Sequence, residues 1–78
     1  MDKLKKFMAL LDRKRMVRVA ETIERITSGK LDGLDIRPLH GIDGHFRCRI
    51  GNIRILFVRS GHQFLIYDAD FRGNIYKR

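Results

Sequence analysis

This chain of 78 residues has one cysteine, one proline, no tryptophan and only nine acidic residues. A lone cysteine, Cys48, excludes an internal disulfide and suits a reducing compartment. It is expected on an apolar face, where a free cysteine behaves as a small hydrophobe. No stretch approaches the roughly 18 apolar residues that a membrane-spanning helix needs. The basic start, Met1-Asp2-Lys3-Leu4-Lys5-Lys6, is followed by neither a long apolar core nor a small-residue cleavage site, so secretion is not expected. The expected location is the cytoplasm, with no membrane partner. Zinc-type Cys/His spacing, a phosphate-binding glycine loop and a serine-nucleophile motif are all missing, so no metal or other cofactor is expected. The shortage of acid leaves 17 Lys+Arg against 9 Asp+Glu, a net charge of +8 and a pI near 10.4. That imbalance is a footprint for nucleic acid or for an acidic protein.

Residues 1–78 are read as one domain with one small core, and a 44% hydrophobic content argues against disorder. Leu4, Phe7, Met8 and Leu11 follow helical spacing and predict a short helix over about 2–11. Asp12 can cap a second helix, whose stripe is Met16, Val19, Ala20, Ile23 and Ile26 and whose stop is Ser28-Gly29. The short connection makes the pair an antiparallel hairpin. Lys30–Gly44 reads as a loop broken by Gly33, Pro38, Gly41 and Gly44.

From His45 the period changes to two. The run His45–Phe57 is a β-hairpin around Gly51-Asn52, opposing Ile50 to Ile53, Arg49 to Arg54, Cys48 to Ile55 and Phe46 to Phe57. One face is apolar, and the other carries Arg47, Arg49 and Arg54. Directly opposed like charges destabilise a sheet, so an anion between Arg49 and Arg54 would relieve them. A phosphate backbone is one such anion; arginines splayed into water are the alternative. A turn at Ser60-Gly61 predicts a third strand over about His62–Asp68. It would set Phe57 against Phe64, Leu56 against Leu65 and Arg54 against Tyr67. A last short strand is expected near Asn74–Tyr76. The resulting pattern is α+β: an N-terminal helical hairpin on a twisted antiparallel sheet of three to four strands. The helices should cover the Phe46/Ile55/Phe64 face and leave the Arg/Tyr face open, with Arg54 at its centre.

The chemistry available is cationic. Arginine pairs geometrically with phosphate oxygens and keeps its charge, and stabilising charge that develops in a transition state is a large part of catalysis. Tyr67 or Tyr76 could stack on a base or pass a proton. His40, His45 and His62 lie scattered in turn-like segments and could act as acid or base. These residues permit a metal-free ribonuclease and equally a simple RNA binder.

Three segments, in this order, carry a resemblance: Arg37-Pro38-Leu39-His40-Gly41, the hairpin Gly44–Phe57, and Arg72-Gly73-Asn74-Ile75-Tyr76. They are similar to the RelE/ParE superfamily of toxin–antitoxin toxins, with its L-x-G, Y-R-x-R-x-G-x-Y-R and R-x-x-x-Y patterns. The resemblance runs from about Leu4 to Tyr76 and implies a RelE-like fold. Ribonucleolytic members enter the ribosome and cut mRNA. By that resemblance Arg47 and Arg49 are RNA-binding, Arg54 and Arg72 make catalytic phosphate contacts, and Tyr76 stacks or transfers a proton; Tyr67 joins the RNA-binding set from its place on the arginine face. The implied function is a toxin that inhibits translation by metal-independent, ribosome-associated mRNA cleavage. The alternatives are a non-enzymatic ParE-like gyrase inhibitor and an inactive relative that binds RNA or an antitoxin.

This sequence departs from the family pattern at three points. The family opens with a strand before its helices, whereas this chain starts almost in its first helix, so an unpaired sheet edge is expected. Asp70 stands where some active members carry a basic residue. The general base is unassigned, because Arg47 and Arg49 are too basic for the role. The implied partners are a cognate antitoxin, mRNA and the ribosome, with a homodimer through the sheet edge as a further option.

Overall fold

The computed structural model describes Lys3–Ile75, with the side chain of Ile75 and residues 76–78 outside that description. The order is α1 (Lys3–Met8), α2 (Arg13–Thr27), β1 (Asp35–Pro38), β2 (His45–Ile50), β3 (Ile53–Ser60), β4 (Gln63–Phe71) and α3 (Arg72–Ile75). The strands form one antiparallel sheet in the order β1-β2-β3-β4. The expected α+β arrangement is thus present.

The ends of α2 follow from its sequence. The Arg15 N–H donates to the Asp12 carboxylate at 2.8 Å, which satisfies one of the free N–H groups of the first turn. At the other end Gly29 takes φ 78. Its N–H donates to the Ile26 carbonyl, and the Lys30 N–H donates to the Arg25 carbonyl. This double closure occupies carbonyls that the helix itself leaves free. The buried stripe of α2 is Val19, Thr22 and Ile26. Met16, expected inside, is 40% exposed, and Ala20 is exposed too. The stripe is rotated because Thr22 is accommodated in the core. Its hydroxyl donates to the Arg18 carbonyl at 2.8 Å, so its burial leaves no unpaired polar group. Helix α1 is shorter than its apolar stripe. After Met8 the chain tightens, with Leu10 and Leu11 donating to the carbonyls three residues back.

The first hairpin has the expected register, from Ile50↔Ile53 to Phe46↔Phe57. The second does not. Its loop is Gly61-His62, closed by Ser60↔Gln63, so Arg59 opposes Phe64 and Phe57 opposes Ile66; past a bulge, Arg54 opposes Asp70. Gly61 has φ 60, and a two-residue turn with positive φ at its first position favours glycine there. Ser60-Gly61 would have put glycine second. A register shift at Leu56/Phe57 then leaves Tyr67 as the extra residue of a bulge on β4. The bulge lets Phe64 and Ile66 face the core before it, and Ala69 and Phe71 after it.

Two further expectations change. The segment 30–44 is not all loop: Asp35–Pro38 forms an edge strand paired with β2. Its proline ends the strand, as the missing N–H requires. The short strand expected near Asn74–Tyr76 is instead helix α3 as far as Ile75, and Tyr76 lies outside the described residues.

The helices cover the predicted face. Phe7, Val19 and Ile26 pack with Cys48, Ile50, Ile53, Ile55, Phe57 and Ala69, and Phe7 meets the Phe71 ring edge-on at 5.2 Å. Phe46 and Phe64 flank Phe57 at 5.5 and 5.8 Å. These rings line, with Leu31, Ile36 and Arg59, an apolar cleft of about 240 Å³. Cys48 is buried in this layer as expected. Burial, then the nearby Asp35 carboxylate, push its thiol up to about 11, against a smaller opposing effect of Arg25.

Strand β4 forms one edge of the sheet. From the alternation of the antiparallel ladder, the N–H groups of Ala69 and Phe71 point away from β3. Each donates instead to the carboxylate of the preceding residue, Asp68 at 2.9 Å and Asp70 at 2.7 Å. The expected unpaired edge is therefore partly closed by its own side chains, which also set acidic groups against any incoming carbonyl.

Candidate nucleic-acid interface

The sheet face away from the helices is organised in rows that run across all four strands. The first row is Asp35, Arg49, Arg54 and Asp70. Arg49 Nε donates to Asp35 Oδ2 at 2.6 Å. The opposed arginines predicted from the hairpin are real, but the chain supplies an acid at each end of their row. The anion they call for is at least partly provided from within.

Arg54 is not on an open face; it is 4% exposed. Its Nη1 donates to the carbonyls of Gly51 and Ile53 at 3.1 and 3.2 Å, which folds the guanidinium against the hairpin turn. Its Nε is buried and has no acceptor among the described residues. Arg54 therefore ties the Gly51-Asn52 turn to β3.

The second row is Arg37, Arg47, Leu56 and Asp68. Here two arginines are opposed with no acid between them and no acid beyond Arg37. Neither makes a hydrogen bond or ion pair among the described residues. Arg37 is exposed and Arg47 half-buried. Sequence reading missed Arg37 because its segment was assigned to a loop; the alternation Asp35-Ile36-Arg37 before Pro38 is the signal that would have revealed the strand.

The third row holds His45 on β2 and Val58 on β3. The bulged Tyr67 reaches back across it. His45 Nδ1 and Tyr67 Oη share a hydrogen bond of 3.1 Å, and the rings meet edge-on at 5.5 Å. Tyr67 is 44% exposed. Burial of its hydroxyl, then the Asp68 carboxylate, push its pKa up, so the phenol keeps its proton at neutral pH. Arg72 is exposed at the start of α3, and its N–H donates to the Asn52 carbonyl at 2.7 Å.

Of the predicted residues, Arg47, Arg49, Arg54 and Tyr67 thus share the outer face. Arg54 is sunk beneath it, and Arg49 is engaged by Asp35. Tyr67 stands beside His45 and not opposite Arg54 as expected. Tyr76 cannot be placed with them.

This architecture has a solved counterpart. One chain of the RelB-RelE antitoxin-toxin complex from Methanococcus jannaschii superposes with a TM-score of 0.78 at 23% identity, covering 92% of this chain and 87% of that one. The fold is RelE-like. No protein-family model matches the sequence, and no curated protein matches it. The likeness to RelE therefore rests on three-dimensional form, and at 23% identity it assigns no residue a role. Among the described residues no group of three metal-ligating side chains occurs, and no helix is long and apolar enough to cross a membrane.

Proposed function

We propose that this chain is the toxin of a toxin–antitoxin pair and inhibits translation in the cytoplasm by cleaving mRNA on the ribosome. The observation that carries the reading is a RelE-like fold whose helix-free sheet face presents cationic side chains, unpaired among the described residues, beside a histidine–tyrosine pair. Arginine suits phosphate because its fixed fork matches two oxygens and its charge persists. RNA can be cut by its own 2′-hydroxyl, so the protein need only hold the phosphate, offset its developing charge and move protons. Arg47 and Arg49 contact the RNA strand, with Arg72 at the margin, and Arg54 supports them from below. Tyr67 and Tyr76 are the aromatic groups available for stacking.

The partner proposed is a cognate antitoxin, by likeness to a chain solved in an antitoxin–toxin complex. A charge of +8 favours an acidic partner and fast, salt-sensitive association. A second reading is a ParE-like gyrase inhibitor or an inactive relative that binds only RNA or antitoxin. It draws on Asp70, which stands opposite Arg54 where some active RelE relatives have a basic residue.

Induced expression followed by primer-extension mapping of mRNA ends separates these readings. Codon-phased cuts are the expected result. Intact mRNA with trapped gyrase–DNA complexes would replace the first reading with the second.

A further inference from the structure

The sheet face carries a row of charge that the described residues do not neutralise, next to the row indicated by the hairpin. We infer that the RNA phosphate is held by Arg37 and Arg47, and that His45, held in place by Tyr67, is the proton acceptor for cleavage at that phosphate. The inference rests on the ribonuclease reading and names the residues of its site.

The argument starts from the ladder. Arg37 on β1 and Arg47 on β2 are directly opposed partners on the outer face. Cβ atoms of such partners lie about 4.5–5.5 Å apart. Two guanidinium groups at that spacing repel each other and attract one anion between them. The neighbouring pair, Arg49 and Arg54, has Asp35 and Asp70 at the ends of its row. Arg37 and Arg47 have only Leu56 and then Asp68, two strands away from Arg47. The strongest unmet demand for an external anion on this face is therefore between them.

His45 lies two residues before Arg47 on the same face, about 6.6 Å along the strand. That is close enough for its ring to reach a hydroxyl on the sugar next to a phosphate held by Arg47. Its Nδ1 is engaged by Tyr67 Oη at 3.1 Å, which leaves Nε2 free to face the substrate. In the tautomer with the proton on Nδ1, Nδ1 donates to the phenol oxygen and Nε2 keeps its lone pair. Nε2 then takes the proton of the 2′-hydroxyl. The 2′-oxygen forms a bond to phosphorus, the bond from phosphorus to the 5′-oxygen breaks, and that oxygen takes a proton from water. The products are a 2′,3′-cyclic phosphate and a 5′-hydroxyl end. Both nitrogens of the resulting imidazolium are donors, so the bond to Tyr67 persists through the step. Tyr67 is a positioning residue. By strand register the charged and titratable groups nearest His45 are Arg47 two positions along β2, Arg37 opposite Arg47 on β1, Tyr67 and Asp68 on β4, and Arg59 on β3, which follows the uncharged partner Val58 and donates its N–H to the Gly44 carbonyl.

The test has a binding arm and a cleavage arm. A single-stranded RNA oligonucleotide with 2′-deoxy substitution cannot be cut, and its affinity is read by fluorescence anisotropy at several salt concentrations. Arg37→Ala and Arg47→Ala are each expected to weaken binding roughly tenfold. Each should lower the salt slope by about 0.7, the value of one phosphate contact on a single strand. Arg13→Ala, on the exposed side of α2, should do neither. Binding and slope unchanged in Arg37→Ala would overturn the clamp. In ribosome-dependent cleavage, His45→Asn is expected to lose about a hundredfold or more in rate while RNA binding stays within twofold. Tyr67→Phe is expected to retain cleavage with a displaced acid limb of the pH–rate profile. Full cleavage by His45→Asn would overturn the proton-acceptor role and leave the ribonuclease reading standing. A wild-type protein that binds the oligonucleotide but leaves mRNA intact in the ribosome-dependent assay would overturn that reading and His45's role together, with the clamp judged by the binding arm.

Discussion

Replacing Arg54 tests whether this residue belongs to the surface or to the fold. At 4% exposure its guanidinium donates from Nη1 to two carbonyls, those of Gly51 and Ile53, at 3.1 and 3.2 Å. A hydrogen bond from a charged donor contributes roughly 1.5–3 kcal/mol. Two such bonds set an upper figure of about 3–6 kcal/mol for Arg54→Ala, and the lost packing of the side-chain stem adds to it. Part is returned, because the variant no longer buries a cation whose Nε has no acceptor among the described residues. A net loss of about 2–4 kcal/mol follows. In a domain of this size 1 kcal/mol moves the melting temperature by about 4–8 °C, so Arg54→Ala should melt roughly 10–25 °C lower. Arg54→Met keeps most of the apolar stem without the donors and should fall by about half as much. Thermal unfolding followed by far-ultraviolet circular dichroism reads both. An Arg54→Ala protein melting within about 4 °C of the wild type would refute the structural role and return Arg54 to the open surface. Until then, loss of toxicity in Arg54→Ala reports on folding as much as on phosphate contact.

Asp12→Ala removes the side chain that caps α2 and should cost about 1 kcal/mol by denaturant unfolding, with an unchanged midpoint counting against the cap. Cys48 gives the stability a signature at high pH. Its thiol is raised to about 11 in the fold, so the unfolded chain ionises first and stability falls as pH climbs from about 9 towards 11, by at most about 1.4 kcal/mol per unit. Below pH 9 this contribution is fully present. A Cys48→Ala curve should be flatter over that interval, and parallel curves would show that the thiol ionises alike in the folded and unfolded chain.

What the sequence determined was much of what local rules govern. The capping carboxylate at Asp12, the helix stop at Gly29, the Gly51-Asn52 hairpin and the two faces of that hairpin follow from short-range geometry, and the structure has all of them. The order of the elements and the spacing of three motifs also pointed to a RelE-like fold, which the superposition bears out. The sequence also held two signals that went unread: the alternation at Asp35–Arg37, and the change of apolar phase between Ile66 and Ala69 that marks the bulge.

Only tertiary structure decided which charges meet. Arg49 and Arg54 are opposed in any reading of the hairpin, yet the acid that engages Arg49 comes from β1, and the residue set opposite Arg54 comes from β4. A second turn one residue later moves every partner by two, and the bulge adds one more, so Asp70 and not Tyr67 stands opposite Arg54. The bulge then carried Tyr67 to His45, a contact across 22 positions of sequence. Charge neutralisation depends on distance in space, and strand pairing sets that distance. The composition therefore announced a cationic protein, while the sheet determined that Arg37 and Arg47 lie opposed on its outer face with no ion pair among the described residues.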